Sequence, residues 1–318
     1  MSDSSLREPA ETAVRQCMGL GTEESCAVVT DDKREAIGEA LYEVAAAITD
    51  DVAIVRYPPG EQHGAEPPAP VAAAMAGADV VLAPTTKSLS HTRARTDANE
   101  AGARVATLPG ITGAVFRTGL DADYEEIAAV CAAVHEAVAG ADQLRVTSPQ
   151  GTDITVRPGE REWRQDTGVV HGAGEMSNLP AGEVFVSPET ADGRVVVDGT
   201  MMPHGRLEAG QTVAFTVEDG QVTDIEDDGL RESVEAAAEE AGDAASNFAE
   251  MGIGTNLAVT ELVGSVLLDE KAAGTVHFAV GDDHGIGGDV EAPLHQDGIL
   301  TEPTVYVDGE QLDLPSPV

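Results

Sequence analysis

Between residues 25 and 140 the sequence alternates between two hydrophobic patterns, and that alternation restricts the fold more than any other feature of the chain. SCAVVT (25–30), DVAIVRY (51–57), DVVLAP (79–84) and ARVATLPG (103–110) are apolar runs of strand length. KREAIGEALYEVAAAI (33–48), PVAAAMAGA (70–78), SHTRARTDANEAG (90–102) and DADYEEIAAVCAAVHEAVAG (121–140) instead carry helical patterns. Strands and helices alternating at this length predict an α/β region, a parallel sheet with helices on its faces. Ser90 is the expected cap of the third helix, which should stop near Gly102. No GxGxxG opens a helix, so a dinucleotide site has no support.

After residue 140 short strands dominate: LRVTSP, DITVRP, EVFVSP, GRVVVDG, QTVAFTVEDG and QVTDIE. Gly, Asp and Pro separate them, as hairpin turns require. One helix is expected over roughly 229–249, followed by a stretch containing Gly252, Gly254 and Gly264 and by strands around TVHFAVG and PTVYVDG. This texture predicts an α+β region with a mixed or antiparallel sheet. The change falls near 140–145, which gives an α/β domain over 1–142 and an α+β, metal-binding domain over 143–318.

Charge narrows the setting. Asp and Glu number 57 against 18 Lys plus Arg, a formal net charge of −39 over 318 residues. Only Lys33, Lys87 and Lys271 are lysines. The acids are dispersed rather than gathered in a tail, which argues against a local acidic interaction segment. Such a field repels itself in dilute buffer, whereas at molar salt the Debye length shrinks to about 3 Å. The composition therefore reads as a halophilic adaptation. It makes nucleic acid and anionic membranes poor partners and metal cations favourable ones. Three cysteines, Cys17, Cys26 and Cys131, show neither a disulfide framework nor zinc-type spacing. The start MSDSSLREPAETAV has no basic segment leading into an apolar core, and no run of about 18 apolar residues occurs. A cytoplasmic protein is expected.

The chemistry-bearing residues lie in the second region. In EAPLHQDGIL (291–300), His295 and Asp297 are two apart, so an extended strand projects both from one face. A same-face imidazole and carboxylate among apolar neighbours need partners. Glu183 enters a strand in NLPAGEVFVSP, Glu250 precedes a glycine turn in FAEMGIGTN, and His277 lies inside GTVHFAVG, with His284 in the loop beyond. Two imidazoles and three carboxylates form a ligand set for one or two divalent ions of the zinc, cobalt, manganese or iron kind. Two carboxylates can also bridge a metal pair that activates water.

NLPAGEVFVSP, FAEMGIGTN, DEKAAGTVHFAVG and LHQDGIL, in that order, resemble the M29 family of metallo-aminopeptidases, the aminopeptidase T type. TTKSLSHTRARTDANEAGARVATLPGI (85–111) is similar to that family's N-terminal domain. The resemblance implies a homodimeric hydrolase that removes N-terminal residues from peptides. Two divalent metals, Zn, Co or Mn, would be held by Glu183, Glu250, His277, His295 and Asp297, with Glu250 also catalytic. The family's tyrosine, about seven residues after the first histidine, is replaced by His284, which becomes the candidate proton donor or base. The interval from His277 to His295 is also short. The same fold is seen in a ring-cleaving dioxygenase acting on dihydroxypyridine, and the HxD region is similar to it. That alternative implies one Fe(II) on His277, His295 and Asp297, a small-molecule substrate, and His91 as a base. A non-catalytic binding protein on the same scaffold is a third reading. Asn178 and Glu175 are candidate supporting residues near Glu183. Trp163 has no role beyond packing.

If the acidic surface is a salt adaptation, raising KCl from 0.1 M to 2 M should increase the melting temperature by roughly 10 °C or more, as several kcal/mol of repulsion are screened. A melting temperature that is flat or falls over this range, measured by calorimetry, would contradict it.

Overall fold

The computed structural model describes residues 4–316. The chain divides into two compact units, one of residues 1–128 with 166–181 and one of residues 129–165 with 182–318. The first unit is the α/β region. Its five-stranded parallel sheet runs Val52–Tyr57, Cys26–Asp31, Val80–Thr85, Arg104–Pro109 and Met176–Asn178 in spatial order. Cys26–Asp31 and Val80–Thr85 are buried along their whole length, as their near-continuous apolar sequences require of central parallel strands. Val52–Tyr57 lies at the edge and is mostly half-exposed or exposed.

The helices Glu35–Ala46, Ala69–Ala76 and Arg93–Glu100 follow the expected spans, but two local details differ. The cap of Arg93–Glu100 is Thr92, whose side chain accepts from the Arg95 amide. Ser90 is occupied elsewhere: its hydroxyl lies 2.7 Å from that of Thr107 and donates to Asn178 Oδ1 at 2.8 Å. The sequence also offered no element for the first 20 residues, yet Ser4–Cys17 is helical throughout and buries Leu6, Ala10, Ala13, Val14 and Cys17. Those side chains have helical spacing, but most are too small to stand out as an apolar stripe.

The second unit holds two seven-stranded sheets. One orders Gln221–Ile225, Val213–Glu218, Thr190–Val197, Asp153–Arg157, Leu144–Thr147, Thr304–Val307 and Glu310–Gln311, with antiparallel pairing throughout. The other orders Gly205–Arg206, Thr200–Met201, His295–Leu300, Val276–Gly281, Phe248–Gly254, Glu183–Val186 and Arg164–Asp166. The expected helix over 229–249 begins at Asp228, capped by Asp227, and stops at Ala241. Gly242, at φ +61°, ends it, Gly242–Ser246 forms a short 3-10 turn, and Phe248–Gly254 is a strand in which every residue is buried. Glu250 is therefore a central strand residue and not the acid at a helix end. Among the described residues no helix is long and apolar enough to cross a membrane.

In the first unit Arg104 places its two terminal guanidinium nitrogens 2.8 Å from the two oxygens of Glu24, and its Nε donates to the Met18 carbonyl. This fork holds the Glu24 carboxyl below its ordinary range, against the effect of its partial burial. A depressed carboxyl pKa contributes stability that is complete above the unfolded value and is lost as pH falls through the folded one. Arg104→Met should therefore cost about 1–3 kcal/mol at neutral pH. The gap from wild type should narrow below about pH 4. Denaturant titrations at pH 7 and pH 3.5 showing the same gap would refute the coupling.

Candidate metal centre

Four adjacent strands of the second sheet build the site, in the order His295–Leu300, Val276–Gly281, Phe248–Gly254 and Glu183–Val186. Gly254 pairs with Glu183, Gly252 with His277, Glu250 with Ala279, Ala279 with Asp297, and Gly281 with His295. Residues paired across a ladder share a face, as do residues two apart on one strand. All five expected donors thus project from the same face. The opposite face carries Val184, Val186, Met251, Ile253, Phe278 and Val280, all buried in the core.

The donor face needs room between its large polar side chains, and glycine provides it. A Cβ on Gly252 would stand 2.2 Å from Cε1 and Nε2 of His277. A Cβ on Gly254 would stand 2.1 Å from the Ala272 carbonyl oxygen. The sequence EMGIG therefore alternates a donor and two clearings on one face with Met and Ile on the other.

Glu250 is central. Its Oε1 lies 3.3 Å from His277 Nε2 and its Oε2 lies 3.4 Å from His295 Nε2. His295 Nε2 is also 3.5 Å from Asp297 Oδ1, and His277 Nε2 is 3.4 Å from Glu183 Oε2. Two overlapping donor groups result, Glu183–Glu250–His277 and Glu250–His295–Asp297, each with its atoms within 4.8 Å of one another. The first is buried. The second reaches solvent through the His295 side chain, which is 32% exposed. His295 Nδ1 lies 2.6 Å from the Asp282 carbonyl oxygen. A carbonyl only accepts, so this contact places a proton on Nδ1 and turns Nε2 toward the carboxylates.

Burial and mutual charge shift these groups strongly. Burial lifts the Glu183 carboxyl to about 8, with the Lys271 ammonium opposing the rise. Burial would also lift Glu250, but hydrogen bonds from His277 and His295 hold it far below the usual carboxylate range. For His277, burial is outweighed by Glu250 and Glu183, and its pKa rises to about 9. His295 rises well above an ordinary imidazole because Asp297 and Glu250 overcome its burial. Glu183 Oε2 is buried with no hydrogen-bond partner. Three carboxylates crowded against two imidazoles, one oxygen orphaned, fit a bound cation. The all-nitrogen-and-oxygen set suits iron, zinc, cobalt or manganese.

Two further residues belong to this centre and escaped the sequence reading. Lys271 is only 3% exposed at its side chain, pairs with Glu183 Oε1, and lies 2.7 Å from Glu270 Oε1. Both come from the DEK of DEKAAGTVHFAVG. The available signal was rarity: a chain with three lysines and 57 acids keeps one lysine inside. His284 belongs to neither donor group. It sits in a short 3-10 turn, 62% exposed, with Nε2 3.8 Å from Glu291. His91 is in the first unit, in an exposed turn before Arg93–Glu100. Asn178 accepts from Ser90 and Thr107, and the Glu175 carboxylate accepts from the Gly172 amide.

The second unit thus presents a scaffold whose clustered imidazole and carboxylate donors could hold a metal ion. The chain belongs to the NicX, 2,5-dihydroxypyridine 5,6-dioxygenase, family, whose model matches residues 16–313. The solved structure of 2,5-dihydroxypyridine dioxygenase from Pseudomonas putida is similar with a TM-score of 0.81 at 19% identity, covering 98% of this chain and 97% of that one. AmpT from Thermus thermophilus is similar with a TM-score of 0.64, also at 19% identity, covering 97% and 99%. At these identities the two structures speak for the fold alone. No curated protein matches the chain by sequence.

The family match overturns the expectation of an M29 metallo-aminopeptidase and with it the hydrolase chemistry. The matched family is one of dioxygenases, not of hydrolases. A dihydroxypyridine dioxygenase and AmpT both match this fold, so the fold does not separate ring cleavage from peptide hydrolysis, and motifs that track the fold do not either.

Gly252→Ala would push a methyl group into the His277 ring. The expected result is at least about tenfold weaker Co(II) binding, the scale of a displaced supporting contact at a metal site, with the far-ultraviolet circular dichroism unchanged. Wild-type affinity in equilibrium dialysis of this variant would show that the clearance is irrelevant.

Proposed function

We propose that this protein is a non-haem Fe(II) dioxygenase that opens the ring of a small dihydroxylated nitrogen heteroaromatic of the 2,5-dihydroxypyridine type. The observation that carries the reading is the pair of donor groups, Glu183–Glu250–His277 and Glu250–His295–Asp297, that share Glu250 on one sheet face, in a chain that the dioxygenase family matches over residues 16–313. Two imidazoles and a carboxylate are the donor set used by non-haem Fe(II) oxygenases. One iron per chain would be held on this face, with His277, His295 and Asp297 as the two-imidazole, one-carboxylate set, Glu250 between the two imidazoles, and Glu183 Oε2 beside His277 as a further carboxylate donor. When bound, Fe(II) supplies the redox chemistry that lets dioxygen react with a hydroxylated ring.

The protein's own groups divide the remaining work. The Asp282 carbonyl fixes the His295 tautomer, so that Nε2 is available as a donor. Glu250 holds both imidazoles in place through its two oxygens. The Glu183–His277 end is buried, whereas His295 is partly exposed, so a small aromatic molecule approaches from the His295 side. Val184, Met251 and Phe278 close the back of the sheet against water.

Protein loaded anaerobically with Fe(II) in high salt should consume dioxygen and 2,5-dihydroxypyridine in equal amounts, followed with an oxygen electrode and by loss of the substrate's absorbance. His277→Ala and His295→Ala should each lower kcat/KM by more than the roughly 10–100-fold that loss of an outer partner costs. No oxygen uptake at one bound iron per chain would end this reading.

A further inference from the structure

We propose that Lys271 is a positioning residue that restricts Glu183 to one available oxygen at the metal centre. The inference rests on reading this face as the metal centre and concerns how many of the cation's positions the protein leaves open. A carboxylate can offer a cation either one oxygen or both. Here the two oxygens of Glu183 have different surroundings. Oε1 is held by the Lys271 ammonium, while Oε2 is buried, has no hydrogen-bond partner, and faces His277 Nε2 at 3.4 Å.

The tether is built into the fold. The Lys271 amide donates to the Leu268 carbonyl at 3.1 Å, and the Lys271 carbonyl accepts from the Asn256 amide at 2.8 Å. Its ammonium is further braced by Glu270 Oε1 at 2.7 Å. Glu183 is likewise fixed, paired with Gly254 across the ladder. Both ends of the contact therefore belong to rigid backbone, unlike a surface ion pair whose long side chains wander. With Oε1 engaged, Glu183 presents a single donor atom toward His277 and Glu250. A cation bound there keeps a position that a two-oxygen carboxylate would otherwise fill, and an oxygenase needs such positions for its two substrates.

Substituted Co(II) reports this directly, because the intensity and position of its visible bands follow coordination number and geometry. In Lys271→Met, Glu183 gains a second free oxygen and the site loses a like charge. The Co(II) bands should weaken and shift, and the Kd should tighten by about tenfold or more, as expected when a nearby positive charge leaves a low-dielectric site. Lys271→Met with Glu270→Gln removes one charge of each sign. Its Kd should stay within about threefold of wild type because the charge changes cancel, while the altered Co(II) bands persist. This charge-balanced variant decides the matter alone if the single variant does not fold. Lys271→Arg, which keeps a cation on Oε1, should retain the wild-type bands. Wild-type bands in both methionine variants would overturn the proposal and reduce Lys271 to a charge-balancing group. Co(II) bound to wild-type protein, with no oxygen uptake by the Fe(II) form, would overturn the dioxygenase reading and leave the role of Lys271 to the spectra. Wild-type protein that binds no Co(II) would overturn both.

Discussion

The contact on which the rest of the structure depends is Glu250 set between the imidazoles of His277 and His295. A carboxylate with 7% of its side chain exposed would be strongly destabilising without such partners. Its placement dictates much of the second unit. The strand carrying it must be central in the sheet, with Val276–Gly281 on one side and Glu183–Val186 on the other. Its neighbours on the donor face must be glycine, because an added Cβ at 252 or 254 collides with His277 or with the Ala272 carbonyl. Its neighbours on the other face must be apolar, because they pack into the core.

Negative charge plays two different parts in this molecule. The dispersed surface acids lie in water, where salt screens them at distances beyond a few ångströms. The acids of the centre are shielded from that screening by burial, and they are balanced locally by imidazoles, by Lys271 and by the capacity to hold a cation. The same abundance of Asp and Glu that keeps the surface hydrated thus has no bearing on the centre. There, position on the sheet decides the outcome. The fold is shared with both a dihydroxypyridine dioxygenase and AmpT, so the fold alone does not fix the chemistry, which lies in the site.

Local pattern succeeds where a single periodicity dominates and fails where two compete. The helix Tyr124–Val138, which buries Ile127, Cys131, Val134 and Val138, and the strand Cys26–Asp31 each have one clear period and are legible in the sequence. Phe248–Gly254 merges with the preceding helix in the sequence pattern, because the alanine- and glutamate-rich run continues to Ala249 without an apolar break. Only Gly242, at positive φ, marks the change. Ser90 looks like a cap by composition, but its hydroxyl is engaged by Thr107 and Asn178, residues 17 and 88 positions away. His284 looks like a site residue because it falls where the M29 family, which the motifs resemble, keeps a tyrosine. Its turn instead leaves it exposed beside Glu291.

The sequence by itself determined the alternating α/β first region, the strand-rich second region, the acidic surface, and a donor inventory of two imidazoles and three carboxylates. These follow from composition and from periods of 2 and 3.6, which are properties of neighbouring residues. Only the tertiary structure decided that Glu183, Glu250, His277, His295 and Asp297 share one face, that Glu250 is the link between two donor groups, and that Lys271 and Glu270 join them. Those facts depend on which strands lie side by side and in what register. Register is set by the packing of whole faces against the core, and residues as far apart in the chain as Glu183 and Asp297 carry no local record of it.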